Sequence, residues 1–417
     1  MKEELIKNRI RLSKMLENNS FAVIHSGYNK FKSADSVYDF FVNNNFYYLT
    51  NIDQANVILL VGNVNNHHFE KLFIESVDPE VAKWLGATLT HEEASELSGI
   101  AMQDILDINM FEKYTDSLYQ SNRYGLMEAH TVYLDLEYRD IPLYNTFGRV
   151  YAKTVRDRFP SVKIENCYNM IISLRMCKNE KEVALIKESI ATTKRAILNV
   201  MSHHNELSNE SIANAYHDFT IIKEGKTLSF NDIIASGHNA TVLHYDDNNS
   251  DILPNSLLLM DVGCYTKHYS SDITRTFPVN GKFTERQKEV YEVVLDTNKK
   301  CIEYATAGMS WKELNDYANN LLAKGLIKLG LIKDISELRK YYFHSIGHSL
   351  GLDVHDPSHA SEGLKEGMVI TIEPGLYIPE ESIGIRIEDN IMITKEKAIL
   401  LSKDIIKEVE DIENFLK

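Results

Sequence analysis

Two acidic side chains bracket a turn in LLLMDVGCYTKHYSSDITRTFPV (257–279), with Asp261 closing one apolar run and Asp272 opening the next. The pattern predicts a β-hairpin with an acid on each arm. Aspartate is common at turns, so these two are either plain strand-end residues or half of an acidic site. A second stretch, MVITIEPGLYIPEESIGIRIEDNIMI (368–393), has the same form. Glu373 ends an apolar run before a Pro-Gly turn, and a strand is expected over Gly384–Asp389. Side chains alternate faces along a strand, so Arg386 and Glu388 share one face and Ile385 and Ile387 the other. That polar face is either solvated, with a surface ion pair, or aimed at a site. Four carboxylates brought together repel one another unless cations intervene. With one imidazole added they make an oxygen-rich set suited to one or two divalent ions.

The imidazole is available in FHSIGHSLGLDVHD (343–356), where His344, His348 and His355 lie among Gly347 and Gly351. Glycine lets backbone approach closely and adopt unusual dihedrals. A lone histidine is ordinarily structural, whereas three in so short a glycine-containing segment point to a site. HSIGH has HxxxH spacing but lacks the glutamate of HExxH, which argues against a zincin. IIASGHNATVLHY (233–245) adds His238, read as a surface loop residue, and His244, open between core and site.

The elements that must position these residues occupy the second half of the chain. The 417 residues imply two or three domains. Apolar residues at 44% and charged residues at 25% are ordinary for a globular protein. The 45 basic and 60 acidic residues give a net charge of −15, which disfavours nucleic acid and anionic membranes as partners. Four cysteines without a CxxC pair suggest a reducing, cytoplasmic setting. The charged, amphipathic N-terminus lacks a signal peptide's apolar core, and no run reaches membrane-spanning length.

The first half alternates strand-like and helical segments, which predicts an α/β domain. Strands are expected at 21–27, 45–50 (NFYYLT) and 56–62, and a helix over 91–100 with Thr90 as cap and Glu93 as its reciprocal partner. This region carries no ligand-like cluster. A strand over 170–176 (MIISLRM) and a helix over 179–204 capped by Asn179 then open an α+β second domain. The division expected is 1–170 and 171–417.

These segments together resemble the pita-bread metallopeptidase family of aminopeptidase P, prolidase and methionine aminopeptidase. The matching motifs are MDVGCYTKHYSSDITRTF, HSIGHSLGLDVHD, ITIEPGLY and GIRIEDN, in the family's order. ADSVYDFFVNNNFYYLT (34–50) resembles the N-terminal domain of aminopeptidase P and prolidase, which methionine aminopeptidases usually lack. Asn51 stands where those proteins usually have glycine, and Pro357-Ser358-His359 departs from the continuation common in prolidases. The resemblance implies an α/β N-terminal domain followed by a catalytic domain of the pita-bread (creatinase/aminopeptidase) fold.

It further implies a dinuclear site. Asp261 would chelate one ion, His348 and Glu373 the other, and Asp272 and Glu388 would bridge. Manganese is the implied metal, with cobalt or zinc as alternatives. Glu373 would shuttle a proton, and His244, His344 and His355 would stand around the substrate, with His244 or His355 donating a hydrogen bond to it. Tyr377 would lie near the site as a substrate-binding residue, and Arg386 would orient Glu388. The implied activity is an Xaa-Pro aminopeptidase acting on peptides, commonly a homodimer or tetramer. The alternatives are prolidase, restricted to dipeptides, and a non-catalytic binding protein. The latter and creatinase are disfavoured because all five ligand positions are filled.

Overall fold

A computed structural model of the chain describes residues 2–75, 79–119, 129–138 and 145–417. In the first unit, strand Ser20–His25 is buried along its whole length. It is paired antiparallel to Ile58–Val64 and parallel to Thr131–Leu134. The sheet is completed by His67–Ile74 and Ile105–Asp107 on one side and Lys163–Asn166 on the other. Phe21, Val23, Leu60, Phe73, Val132 and Leu134 form the core of this layer. The expected Thr90/Glu93 capping box is present at helix His91–Ser98.

Two expected strands are helices. NFYYLT lies in helix Asn44–Thr50, where the Asn43 side chain accepts from the Phe46 N–H and Asn51 closes the helix at φ 57°. Aromatic residues favour strands, but the cap and a fully buried setting outweigh that preference here. Asparagine tolerates the left-handed region, so Asn51 fills the conformational role of a glycine. MIISLRM belongs to helix Tyr168–Arg175. A short apolar run does not distinguish strand from buried helix by periodicity. This helix is tied to the first unit by Arg175 Nη1 donating to Asn45 Oδ1 (2.6 Å) and Tyr48 Oη donating to the Leu174 carbonyl (2.8 Å). The chain separates into two compact units between Arg175 and Met176.

The second unit opens with helix Glu180–Ser202, capped by the expected Asn179/Glu182 box. It packs on helix Glu210–Lys223. Strands Ile233–Ser236, Leu257–Val262 and Ile273–Pro278 form an antiparallel sheet in which Asp261 stands opposite both Ile233 and Thr274. The strand expected over Gly384–Asp389 is broken. Ile383–Arg386 pairs with Gly375–Ile378, and Asp389–Met392 pairs with Val369–Ile372. The chain changes partner at Ile387-Glu388, beside the turn that carries Glu373-Pro374. Helix Glu285–Tyr304 covers these strands. Its Asn298 donates to the carbonyls of Ile372 and Ile387 (3.1 and 3.2 Å), the residues just before Glu373 and Glu388. Among the described residues no helix is long and apolar enough to cross a membrane.

Candidate metal centre

The strand changes described above aim several acids into one cavity of about 630 Å³. Asp261, Asp272, His348, Glu373 and Glu388 line it, together with His244, His344, His355 and Arg386. Asp272 and Glu388 are buried, while Asp261, His348 and Glu373 are partly open to the cavity. One donor atom each from Asp272, His348 and Glu388 falls within 4.8 Å of the others. His348 Nε2 lies 3.4 Å from Asp272 Oδ2 and 3.6 Å from Glu373 Oε1.

Local structure explains each placement. The 343–356 segment is irregular rather than helical, so HSIGH does not present its rings by helical spacing. Instead, the His348 N–H donates to Thr371 Oγ1 (3.0 Å), and a Cβ on Gly347 would stand 2.1 Å from the Thr371 carbonyl oxygen. Only glycine allows that approach. His348 Nδ1 bonds the Ser349 carbonyl (3.0 Å), leaving Nε2 as the lone-pair donor facing the carboxylates. Glu388 is fixed by its N–H to the Thr274 carbonyl (3.0 Å), its Oε2 to the Thr274 hydroxyl (2.8 Å), and its carbonyl to Arg275 Nη1 (2.6 Å).

Arg386 is buried and donates to Asp261 Oδ2 (2.7 Å), Tyr377 Oη (2.9 Å) and Thr274 Oγ1 (3.1 Å). It reaches Glu388 only through Thr274. Tyr377 is fully buried behind the cavity wall. Its hydroxyl contacts His344 Nε2 (2.9 Å), whose Nδ1 bonds the Ser345 carbonyl (2.8 Å). Tyr377 thus bonds both Arg386 and His344. His344 Nδ1 is 3.7 Å from Glu373 Oε2. His244 and His355 are exposed at the cavity, and the His355 ring lies tilted against that of His348 with centroids 4.1 Å apart. His238 is exposed and is not among the lining residues, nor is His359.

The electrostatics follow from crowding. Burial, then neighbouring Asp261, raises the Asp272 carboxyl to about 6. Burial raises Glu373 to about 7, with Asp272 and Asp261 adding to it against His348 and Arg386. Glu388 is pushed well above the usual carboxylate range by burial and by Asp272, Glu373 and Asp261. Burial disfavours charge on His348, but Asp272 and Glu373 lift its ring to about 9. Burial and Arg386 hold His344 down at about 4, so this ring is neutral at ordinary pH.

The donor set fits divalent cations. Asp261 Oδ1 and Glu388 Oε1 are buried with no hydrogen-bond partner, an expensive arrangement unless something positive completes it. Oxygen donors with one imidazole suit divalent ions. Sequence reasoning missed Thr274, Thr371 and Asn298. For Thr274 the signal was present, since Asp272, Thr274 and Thr276 alternate onto one face of DITRTF.

Residues 184–395 match the model of metallopeptidase family M24, and residues 5–126 match the aminopeptidase P N-terminal domain. The chain is 31% identical to the Xaa-Pro aminopeptidase of Haemophilus influenzae, over 100% of this chain and 97% of that protein. It is also 31% identical to the mitochondrial intermediate cleaving peptidase 55 of Arabidopsis thaliana, over 99% and 83%. A solved structure from Bacillus anthracis, provisionally assigned as an aminopeptidase P, superposes with a TM-score of 0.96 at 44% identity, covering 100% of this chain and 98% of that one.

Proposed function

Because the chain belongs to metallopeptidase family M24, in its aminopeptidase P branch, we propose that it releases the first residue from peptides with proline in second position. Its fold is that branch's N-terminal domain followed by a pita-bread catalytic domain. The observation that carries the reading is the convergence of Asp261, Asp272, His348, Glu373 and Glu388 on one cavity, with orphaned oxygens on two of them. Asp261 would hold one ion, His348 and Glu373 the other, and Asp272 and Glu388 both. Manganese suits this oxygen-rich set best, with cobalt or zinc as substitutes. When bound, such ions supply Lewis acidity and bring the pKa of a water toward neutrality.

The remaining work falls to the chain's own groups. Glu373 is open to the cavity and placed to carry a proton from water to the leaving nitrogen. The nitrogen of an Xaa-Pro bond carries no hydrogen, so it leaves only if the site protonates it. Neutral His344 is locked by Tyr377 and Ser345 and stands 3.7 Å from Glu373 on the cavity wall. His244 and His355 stand at the open side, where they can donate hydrogen bonds to the peptide. Arg386 holds Asp261 in position through its 2.7 Å bond.

Peptides are the proposed partners, and the −15 net charge speaks against nucleic acid. A homodimer is the proposed assembly, with a tetramer as the next. Four free cysteines agree with a cytoplasmic setting.

The test strips metal from the protein, restores manganese, and compares Xaa-Pro-Yaa, Xaa-Pro and Met-Ala-Yaa. Release of Xaa from the first supports the proposal. Cleavage confined to the dipeptide makes the protein a prolidase, and cleavage of Met-Ala-Yaa alone refutes proline selectivity.

A further inference from the structure

A second group of metal-type donors lies outside the catalytic cavity. His217 and Asp218 sit on helix Glu210–Lys223, and Asp232 precedes strand Ile233–Ser236. His217 is 0% exposed and Asp232 3%, while Asp218 is partly open. His217 Nδ1 lies 2.5 Å from Asp232 Oδ2 and 3.4 Å from Asp218 Oδ1. Yet neither ring nitrogen, neither oxygen of Asp232, nor Asp218 Oδ1 has a hydrogen-bond partner. One donor atom from each of the three residues lies within 4.8 Å of the others.

An imidazole N–H this near a carboxylate ordinarily points at it. Here the ring is not aligned to donate to either carboxylate although Nδ1 and Asp232 Oδ2 stand only 2.5 Å apart, and lone pairs this close repel unless a proton or a cation lies against both. A buried polar atom left unpaired is costly, and five such atoms stand side by side. Among the described residues, the ion pairs of Asp218 and Asp232 run only to His217. Two carboxylates and a neutral imidazole sum to the charge that one dication cancels.

We propose that His217, Asp218 and Asp232 form a further metal site, separate from the catalytic one, that takes a single divalent ion of the zinc or manganese class. The imidazole disfavours calcium and magnesium, which prefer all-oxygen shells. The partly open Asp218 leaves an entry path and room for water as a fourth ligand. Supporting bonds are in place. Asn214 Nδ2 donates to Asp218 Oδ2 (2.9 Å), and Asn248 Nδ2 donates to the Asp232 carbonyl (2.7 Å). The Ile234 N–H donates to Asn248 Oδ1 (2.8 Å). Asn231 and Ile233, on either side of Asp232, line the catalytic cavity, as do Leu243, His244 and Asp246 just before Asn248. An ion here braces that wall of the cavity.

The competing occupant is a proton. Burial works against a charged His217 ring, but Asp218 and Asp232 lift it to about 9. Two measurements on the full chain separate the accounts. Crystals of the protein loaded with three equivalents of zinc are measured at the zinc absorption edge. An anomalous peak about 2.0–2.2 Å from His217 Nδ1 and from Asp218 and Asp232 oxygens is expected. No peak there, with the catalytic cavity loaded, overturns the proposal without any variant. In solution, Asp232→Asn and His217→Gln should each lower bound zinc by one equivalent while Tm, in the presence of chelator, stays within a few degrees of the parent. Unchanged zinc content in either variant also overturns it.

Discussion

Arg386→Lys keeps a positive charge in the cavity wall but removes the geometry that uses it. The guanidinium donates at once to Asp261, Tyr377 and Thr274, at 2.7, 2.9 and 3.1 Å. A lysine has one nitrogen and a shorter reach, so it cannot satisfy three directions from one buried stem. The bond to Asp261 is between charged groups, and such a bond contributes about 1.5–3 kcal/mol. Losing it frees Asp261 to leave its ligand orientation. That energy corresponds to a loss of about 10- to 150-fold in metal affinity, in line with the effect of removing partners that orient metal ligands. Equilibrium dialysis against manganese, with turnover on Xaa-Pro-Yaa measured across the same metal range, gives both quantities. The expected variant needs more metal to reach half activity and recovers much of its turnover when saturated. Tyr377→Phe removes only a neutral hydroxyl and is expected to weaken metal binding about 2- to 12-fold. Metal affinity unchanged in Arg386→Lys would refute the claim that Arg386 works through Asp261.

Asn298→Ala strips the Ile372 and Ile387 carbonyls of a buried donor and is expected to lower stability by about 1–3 kcal/mol, read as a fall in Tm, with looser metal binding. Gly347→Ala forces a methyl against the Thr371 carbonyl, and metal content measured on the purified variant should drop sharply while the fold, by circular dichroism, persists. In the first unit, burial works against a charged Glu70, but His68 and the buried Arg9 draw its carboxyl from 4.5 down to about 2. A depressed carboxylate stabilises above its ordinary pKa, and that contribution fades as pH falls from 4.5 through 2. At about 1.4 kcal/mol per pKa unit the contribution is about 3–4 kcal/mol, and urea unfolding of Glu70→Gln should lack this acid-side decline.

The acids were legible because each borders an apolar run and sits at a point where strand alternation or a turn fixes its face. The histidine cluster stood out through density and neighbouring glycines. What escaped was long-range. Asn298 is one polar residue in a long amphipathic helix, and nothing local says that it reaches two carbonyls in different strands. The partner change at Ile387-Glu388 depends on which strands lie alongside, so the alternating pattern read as one continuous strand. NFYYLT and MIISLRM are short apolar runs whose helical state rests on caps and burial. His217 and Asp232 lie on separate elements and carry no motif, so only folding reveals their contact.

The most direct test follows an Xaa-Pro-Yaa tripeptide by mass spectrometry, with the metal-stripped protein alone and after manganese is restored. Free Xaa and intact Pro-Yaa, formed only with metal and lost in Asp272→Ala, are the products expected. An Asp272→Ala protein that binds metal and turns over like the parent, or a restored protein that leaves the tripeptide whole, would contradict the account.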